Sequence, residues 1–497
     1  MEEPIWYTSL CLIILLIALK LFLQTRKPHN KNLPPSPLAL PVIGHLHLLK
    51  EPLHRTLHRL SKTYGDVFSL RFGSRHVVVI SSPSAVEECF TKNDVVLANR
   101  PPLIMGKHVH YNHTTLALAP HGDHWRNLRR IGSLQIFSSA RLNAFNDTRR
   151  DEVKRMLRRI STNSFHGAGK VQLTSMFADL TINVIMRMAT GKRYYGDDVA
   201  DVDEARKFRE IVTEVFENAG AGNPADFLPV LNWIPGSYET KIKRLAKKTD
   251  GFLQQLVDEH RNAKESKNTM IDHLLSLQES QPEYYTDEII KGFIMMILLG
   301  ATDTIVVNLE WTMSNLLNHP NILKKVKAEL DAQVGEQQLL EESDLSNLNY
   351  LKNVISETLR LYPSAPLLVP HYSSDDCTIG GNHVPRDTIL LVNAWAIQRD
   401  AKLWDDAESF KPERFENGES ESYKLIPFGV GRRICPGIGL ANRVVGLALG
   451  TLIQCFEWER IGEEEVDMAE GKGLTMPRLV PLEAKCKALP IMNVVLS

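Results

Sequence analysis

Paired cysteines, an excess of one charge and low-complexity tracts are all missing from this 497-residue chain. Its six cysteines, Cys11, Cys89, Cys377, Cys435, Cys455 and Cys486, are scattered. They show neither zinc-site spacing nor a disulfide framework, so reduced thiols in a cytosol-facing domain are expected. The 58 basic side chains nearly cancel the 59 acidic ones, for a net charge of −1, which disfavours nucleic-acid binding and a disordered acidic chain. A dinucleotide fingerprint is missing too: Gly437-Ile438-Gly439-Leu440-Ala441-Asn442 has Asn442 in place of the third glycine and no strand before it. The chain is therefore not expected to bind a nicotinamide itself.

What is present begins at the N-terminus. Ile5 to Leu23 is apolar except for Thr8, Ser9 and Lys20, and at helical rise it extends about 28 Å, close to a hydrocarbon core. Glu2 and Glu3 precede it, while Arg26, Lys27 and Lys31 follow, which favours a single-pass anchor with the remainder on the cytosolic side over a cleaved signal. Residues 1–27 read as this anchor. Residues 28–44, with Leu33-Pro34-Pro35-Ser36-Pro37, read as a stiff proline-rich hinge. Residues 45–497 then form one large domain.

Within that domain, Val67 to Phe72 and Val77 to Ile80 flank Gly73-Ser74-Arg75 and predict a hairpin. Cys377 to Val392 is a second strand-rich patch with turn chemistry at Gly380-Gly381-Asn382. Helices are expected elsewhere, with an interruption near Asn223 to Gly236. The longest is expected from Thr286 to Asn318, capped by Thr286 and ended by His319-Pro320. Phe293 to Leu299 is apolar all round, so this helix should be buried. Thr302, Asp303 and Thr304 interrupt that stretch, and a buried carboxylate needs a partner or a task. Thr304 bonding back to the carbonyl four residues earlier is the plain structural alternative.

The most telling segment is Phe428-Gly429-Val430-Gly431-Arg432-Arg433-Ile434-Cys435-Pro436-Gly437. Its glycines permit tight turns and close approach to a flat group, and a metal-ligating thiol must be deprotonated. Arg433 suits a carboxylate in bidentate geometry. The Phe-x-x-Gly-x-Arg-x-Cys-x-Gly spacing resembles the cysteine-ligand signature of the cytochrome P450 superfamily, and Gly300-Ala301-Thr302-Asp303-Thr304 is similar to its oxygen-activating stretch. The resemblance extends over essentially the whole chain. Leu33-Pro34-Pro35-Ser36-Pro37, Ala98-Asn99-Arg100-Pro101-Pro102 and Leu309-Glu310-Trp311 look like plant microsomal members, near the isoflavone hydroxylases and methylenedioxy-bridge synthases.

The resemblance implies a mainly α fold with small β-sheets and haem b (iron protoporphyrin IX) held by Cys435. Phe428 and Gly437 would shape the loop, while Arg433, Trp125, Arg129 and His371 would serve the haem propionates. It implies that Asp303 and Thr304 form an acid-alcohol pair moving protons so that one oxygen atom of dioxygen leaves as water. Glu357, Arg360 and Arg414 would form a buried structural triad. Electrons from NADPH would arrive through a membrane-bound reductase, with Arg126, Arg130, Lys424 and Arg432 as candidate docking charges.

The implied reaction inserts one oxygen atom into a lipophilic plant metabolite, a phenylpropanoid, flavonoid, lignan or terpenoid, at the endoplasmic reticulum membrane. Ring bridging, desaturation or rearrangement is the alternative outcome, and a non-enzymatic haem sensor the remote one. Ala301 stands where the family usually has glycine and Ile305 where it has a hydroxyl residue, which bears on substrate orientation. Candidate substrate contacts are Ile104, Phe216, Met296, Gly300, Ala301, Leu367, Leu368, Leu474 and Met476.

Overall fold

Val77-Val78-Val79-Ile80 has no polar face, and both of its faces are buried. In this computed structural model, which describes residues 8, 9, 12, 32–165, 169–196, 199, 201–218, 223–416 and 423–496, β1 (Val67–Phe72) and β2 (Arg75–Ile80) form an antiparallel hairpin. The expected three-residue turn is shorter by one. Arg75 pairs with Phe72, leaving Gly73-Ser74 as the turn, with Gly73 at φ 57°, a conformation its missing Cβ permits.

The other strands are β3 (Lys170–Gln172), β4 (His371–Tyr372), β5 (Cys377–Ile379), β6 (Asn382–Val384), β7 (Ile389–Val392), β8 (Phe456–Glu459) and β9 (Glu483–Ala488). They form a sheet ordered β1-β2-β7-β4, a second ordered β3-β9-β8 and the pair β5-β6. In the first sheet β7 runs parallel to β2. One face packs Val77, Val79, Ile389 and Leu391 around Leu57 of α1 (Leu53–Tyr64). The opposite face packs Val78, Ile80, Leu390 and Val392 around Val86, Cys89 and Phe90 of α2 (Pro83–Phe90).

The helical body contains α3 (Asp123–Ile131), α4 (Asn146–Phe165), α5 (Leu173–Thr190), α6 (Val202–Asn218), α7 (Tyr238–Arg261), α8 (Asp287–Ala301), α9 (Asp303–Asn318), α10 (Asn349–Leu361) and α11 (Ile438–Cys455). Their apolar stripes meet in one large core. The architecture is mainly α with small sheets.

Sequence alone reads Thr286 to Asn318 as one helix; the structure divides it at Thr302. The hydroxyl of Thr302 donates to Leu298 O at 2.8 Å and that of Thr304 to Gly300 O at 2.8 Å, so side chains occupy carbonyls that the ladder would otherwise use. Thr286 stands at the N-cap position, but its hydroxyl makes no cap bond. The segments Asp287–Asn318 and Ile438–Cys455 are long and apolar enough to cross a membrane, yet most of each is buried in the core. Apart from Thr8, Ser9 and Leu12, the expected anchor lies outside the described residues.

The proline segment is fastened to the first sheet. Ser69 donates its N–H to Pro35 O at 2.8 Å and its hydroxyl to Pro34 O at 2.9 Å. His45 Nδ1 accepts the Arg71 N–H at 2.7 Å, which leaves Nε2 to donate to Pro37 O at 3.0 Å.

Candidate active site

The cysteine loop leads directly into α11. Gly429 and Gly431 take φ 71° and 69°, and a Cβ on Gly431 would approach Asp94 Oδ1 to 2.7 Å. This bend lets Cys435 donate its N–H to Phe428 O at 2.9 Å, while Gly437 donates its own to Cys435 Sγ at 3.4 Å. Burial pushes the Cys435 thiol up, opposed by the Gly437 amide and the Arg129 charge. Ligation of a metal cation would displace that proton.

Beside the loop is a set of cations facing neutral acceptors. Arg433 donates Nε–H to Ala98 O at 2.7 Å and also reaches Leu116 O and Ala119 O. Its guanidinium lies over the Trp125 ring. Arg100 donates to Val369 O at 2.7 Å and Pro370 O at 2.8 Å, and Arg129 donates to Ile434 O at 2.7 Å. Desolvation pulls Arg433 and Arg100 down to about 9. It also takes His371 well below the usual imidazole range, with the Arg100 charge adding to the effect.

Among the described residues, no carboxylate pairs with the half-buried Arg100, Arg129 or Arg433, whose hydrogen-bond partners are backbone carbonyls. Two features therefore fit haem: unpaired cations suited to propionates and a thiol at a bend made by glycines. Gly300 adds a third. It is exposed near the C-terminal end of the otherwise core-packed α8, and a Cβ there would meet nothing within 4 Å.

Two expected contacts take another form. The Trp125 indole N–H donates to Leu116 O at 3.2 Å, and His371 Nδ1 donates to Leu97 O at 2.8 Å. Both side chains nevertheless border the arginine set: Trp125 through Arg433, and His371 through the charges of Arg100 and Arg433.

At the helix break, Thr304 is bonded to Gly300 O rather than to Asp303. Asp303 instead accepts the hydroxyl of Thr475, and burial raises its carboxyl above the ordinary range. Ile305 is buried in the main core, and Ala301 packs against it.

Glu357 and Arg360 are fully buried and joined by two bonds of 2.7 and 2.9 Å. Arg414 Nε reaches the same carboxylate at 3.1 Å. Arg360 also donates to Gln398 O and Ala407 O, each at 2.7 Å. Gln398 in turn accepts the Ile426 N–H at 2.9 Å, two residues before Phe428.

The candidate substrate residues do not all share one surface. Met296 and Ala301 are half-buried on α8, and Leu474 is exposed. Ile104 packs against the main core, and its N–H bonds to Asp226 at 2.7 Å. Phe216 is half-buried on α6. Leu367 and Leu368 pack on opposite faces of the first sheet, and Met476 is 1% exposed beside Trp395 and Tyr362. Packing thus uses the side chains of Leu368 and Met476.

Two residues of this site, Arg100 and Thr475, are not singled out by the sequence. Arg100 was visible only as part of Asn99-Arg100-Pro101. Thr475 is the polar residue between two apolar candidates, Leu474 and Met476, and that contrast was the available signal.

A family model described as Cytochrome P450 matches residues 34–482. Cytochrome P450 81Q32 of Catharanthus roseus is 58% identical, over 100% of this chain and 99% of its own length. An isoflavone 3'-hydroxylase of Medicago truncatula is 56% identical over 98% and 99% respectively. A (+)-piperitol/(+)-sesamin synthase of Sesamum radiatum is 52% identical over 100% and 99%.

Proposed function

Because the chain belongs to the cytochrome P450 family, and is thus a haem-thiolate monooxygenase with haem b as its cofactor, we propose that it oxidises a lipophilic plant phenolic of the isoflavone or lignan kind. The observation that carries the haem site is Cys435 presented beside guanidiniums that, among the described residues, pair with no carboxylate. The relatives named isoflavone 3'-hydroxylase and (+)-piperitol/(+)-sesamin synthase, each matched over nearly its whole length, support the substrate class.

When bound, haem b supplies dioxygen activation, with one oxygen atom entering the substrate and the other leaving as water. Cys435 is the metal ligand, and Phe428 and Gly437 hold its loop by the two bonds described above. Arg433, Arg100 and Arg129 would hold the propionates, with Trp125 and His371 bordering that arginine set. Asp303 and Thr304 would hold and move protons. Glu357, Arg360 and Arg414 brace the cysteine loop from behind, through Gln398 and Ile426. Met296, Gly300, Ala301 and Leu474 contact substrate, and the Ala301 methyl narrows the space beside Gly300.

Electrons come from NADPH through a membrane-bound reductase docking on the cysteine side. Arg432 and Arg126 are already paired there with Asp94 and Asp123. Residues 1–27 anchor the chain in the endoplasmic reticulum membrane, 28–44 link it and 45–497 form the catalytic domain facing the cytosol. Exposed Leu38, Val230, Trp233 and Ile234 support membrane contact. Their segments meet at Gly73, which bonds to Ile43 O and packs against Phe227 O.

The test is turnover in microsomes carrying this chain and a plant reductase, supplied with NADPH and isoflavones, lignans and terpenoids. Hydroxylation adds one oxygen atom, whereas ring bridging removes two hydrogens, and mass spectrometry separates them. An isoflavone or lignan product dependent on NADPH and Cys435 is expected. Conversion of terpenoids alone, or product without reductase, overturns the reading.

A further inference from the structure

The acid of the helix break is not bonded to the alcohol beside it in sequence. Asp303 accepts the hydroxyl of Thr475, a residue of a turn far along the chain, while Thr304 is occupied by Gly300 O. Thr475 belongs to no helix or strand. Its turn is held against α9 and its surroundings by three further bonds: Met476 N–H to Ser364 O at 3.0 Å, the Trp311 indole to Met476 O at 2.7 Å, and Arg478 to the Ser314 hydroxyl. Ser364 itself donates to Thr304 O at 3.1 Å. The turn is therefore tied to α9 just after the break, through Asp303 and Thr304, and farther along it, through Trp311 and Ser314.

Leu474, next to Thr475, is 38% exposed, whereas Met476 on the other side is locked in a buried cluster. The turn thus has a fixed end and a free end, with the hydroxyl that holds Asp303 between them. The Thr475 O–H is a donor to the carboxylate, and its oxygen keeps lone pairs that can accept a proton-bearing group or water. In a poorly hydrated site, such a bond sets both where the carboxylate points and how readily it takes a proton.

We infer that Thr475 is a positioning residue for proton delivery: it holds the Asp303 carboxylate in register, so that a substrate pressing on Leu474 changes how tightly oxidation is coupled to NADPH use. This rests on the assignment of Asp303 as the proton-handling acid. It adds the device that aims that acid and links it to substrate fit. Where the acid is misaligned, protons and electrons are spent reducing dioxygen to hydrogen peroxide, with no oxygen entering the substrate.

The experiment compares Thr475→Val, Thr475→Ser and Asp303→Asn in the full-length enzyme with reductase, measuring peroxide released per NADPH oxidised across pH. Infrared spectroscopy of the same proteins follows the carboxyl band that Asp303→Asn abolishes. The carbon monoxide difference spectrum verifies thiolate ligation in each variant. Thr475→Val should raise the peroxide-to-product ratio about tenfold, the effect of losing one hydrogen bond to a carboxylate, and should shift that band and the pH profile. Thr475→Ser should restore both. If Asp303→Asn uncouples turnover while Thr475→Val leaves the ratio, profile and band unchanged, this inference is overturned and the acid assignment survives. If Asp303→Asn itself leaves the ratio and profile unchanged, the acid assignment fails and takes this inference with it.

Discussion

The Arg433 guanidinium carbon lies 4.3 Å from the centre of the Trp125 ring. A flat cation on a flat ring cannot swing freely, so the indole fixes the plane in which Arg433 presents its donors. Three backbone carbonyls hold the same guanidinium from the side. The pair joins the cysteine loop to α3.

Arg433→Ala should weaken haem retention by roughly tenfold or more, since a hydrogen bond to a charged group contributes about 1.5–3 kcal/mol. Haem content per chain after dialysis against an apo acceptor measures it. Arg433→Lys should fall between the two, keeping the charge but losing the planar fork.

Glu357→Ala should destabilise the fold by about 3–5 kcal/mol, because it strands the buried Arg360 and deprives Arg414 of its carboxylate. Denaturant unfolding, followed at equilibrium, is the measurement. The chemistry of whatever enzyme folds should be unchanged, seen as a normal ratio of product to NADPH consumed.

Asp303 is raised by burial above its unfolded value. The unfolded chain therefore ionises first as pH rises, and the carboxylate costs stability above that range. Asp303→Asn is expected to raise Tm at neutral pH. The gain should vanish as pH falls below the ordinary carboxylate range, where both forms are neutral. Melting curves of the two proteins across pH decide it, and a gain that persists at low pH would contradict the burial argument.

Replacing Trp233 and Ile234 together by Ser should reduce binding of a chain lacking residues 1–27 to phospholipid vesicles by roughly tenfold or more, on the apolar area removed. Sedimentation with vesicles measures this. Both side chains are exposed, so the thermal stability should be unaffected.

Much of this molecule was legible in its residues. The β1–β2 hairpin, the buried apolar run of α8 and the interruption near residue 223 all follow from local periodicity and turn chemistry. Glu357 and Arg360 were legible as a pair three apart; only a fully buried site makes that pair consequential. The division at Thr302 was not legible, because it depends on which hydroxyls find carbonyls. Nor was the Thr475 bond to Asp303, which joins residues with no shared local pattern. Arg100 was obscured for a similar reason: its acceptors, Val369 and Pro370, lie in a distant loop.

The proline segment held by Ser69 and His45 has a mechanical consequence. Tension applied from the amino-terminal side is borne by β1, at Ser69 and Arg71, not dissipated in slack polypeptide. The tilt of the first sheet is then the tilt of the whole body. Shortening or softening the prolines should alter how the protein leans without altering what it catalyses.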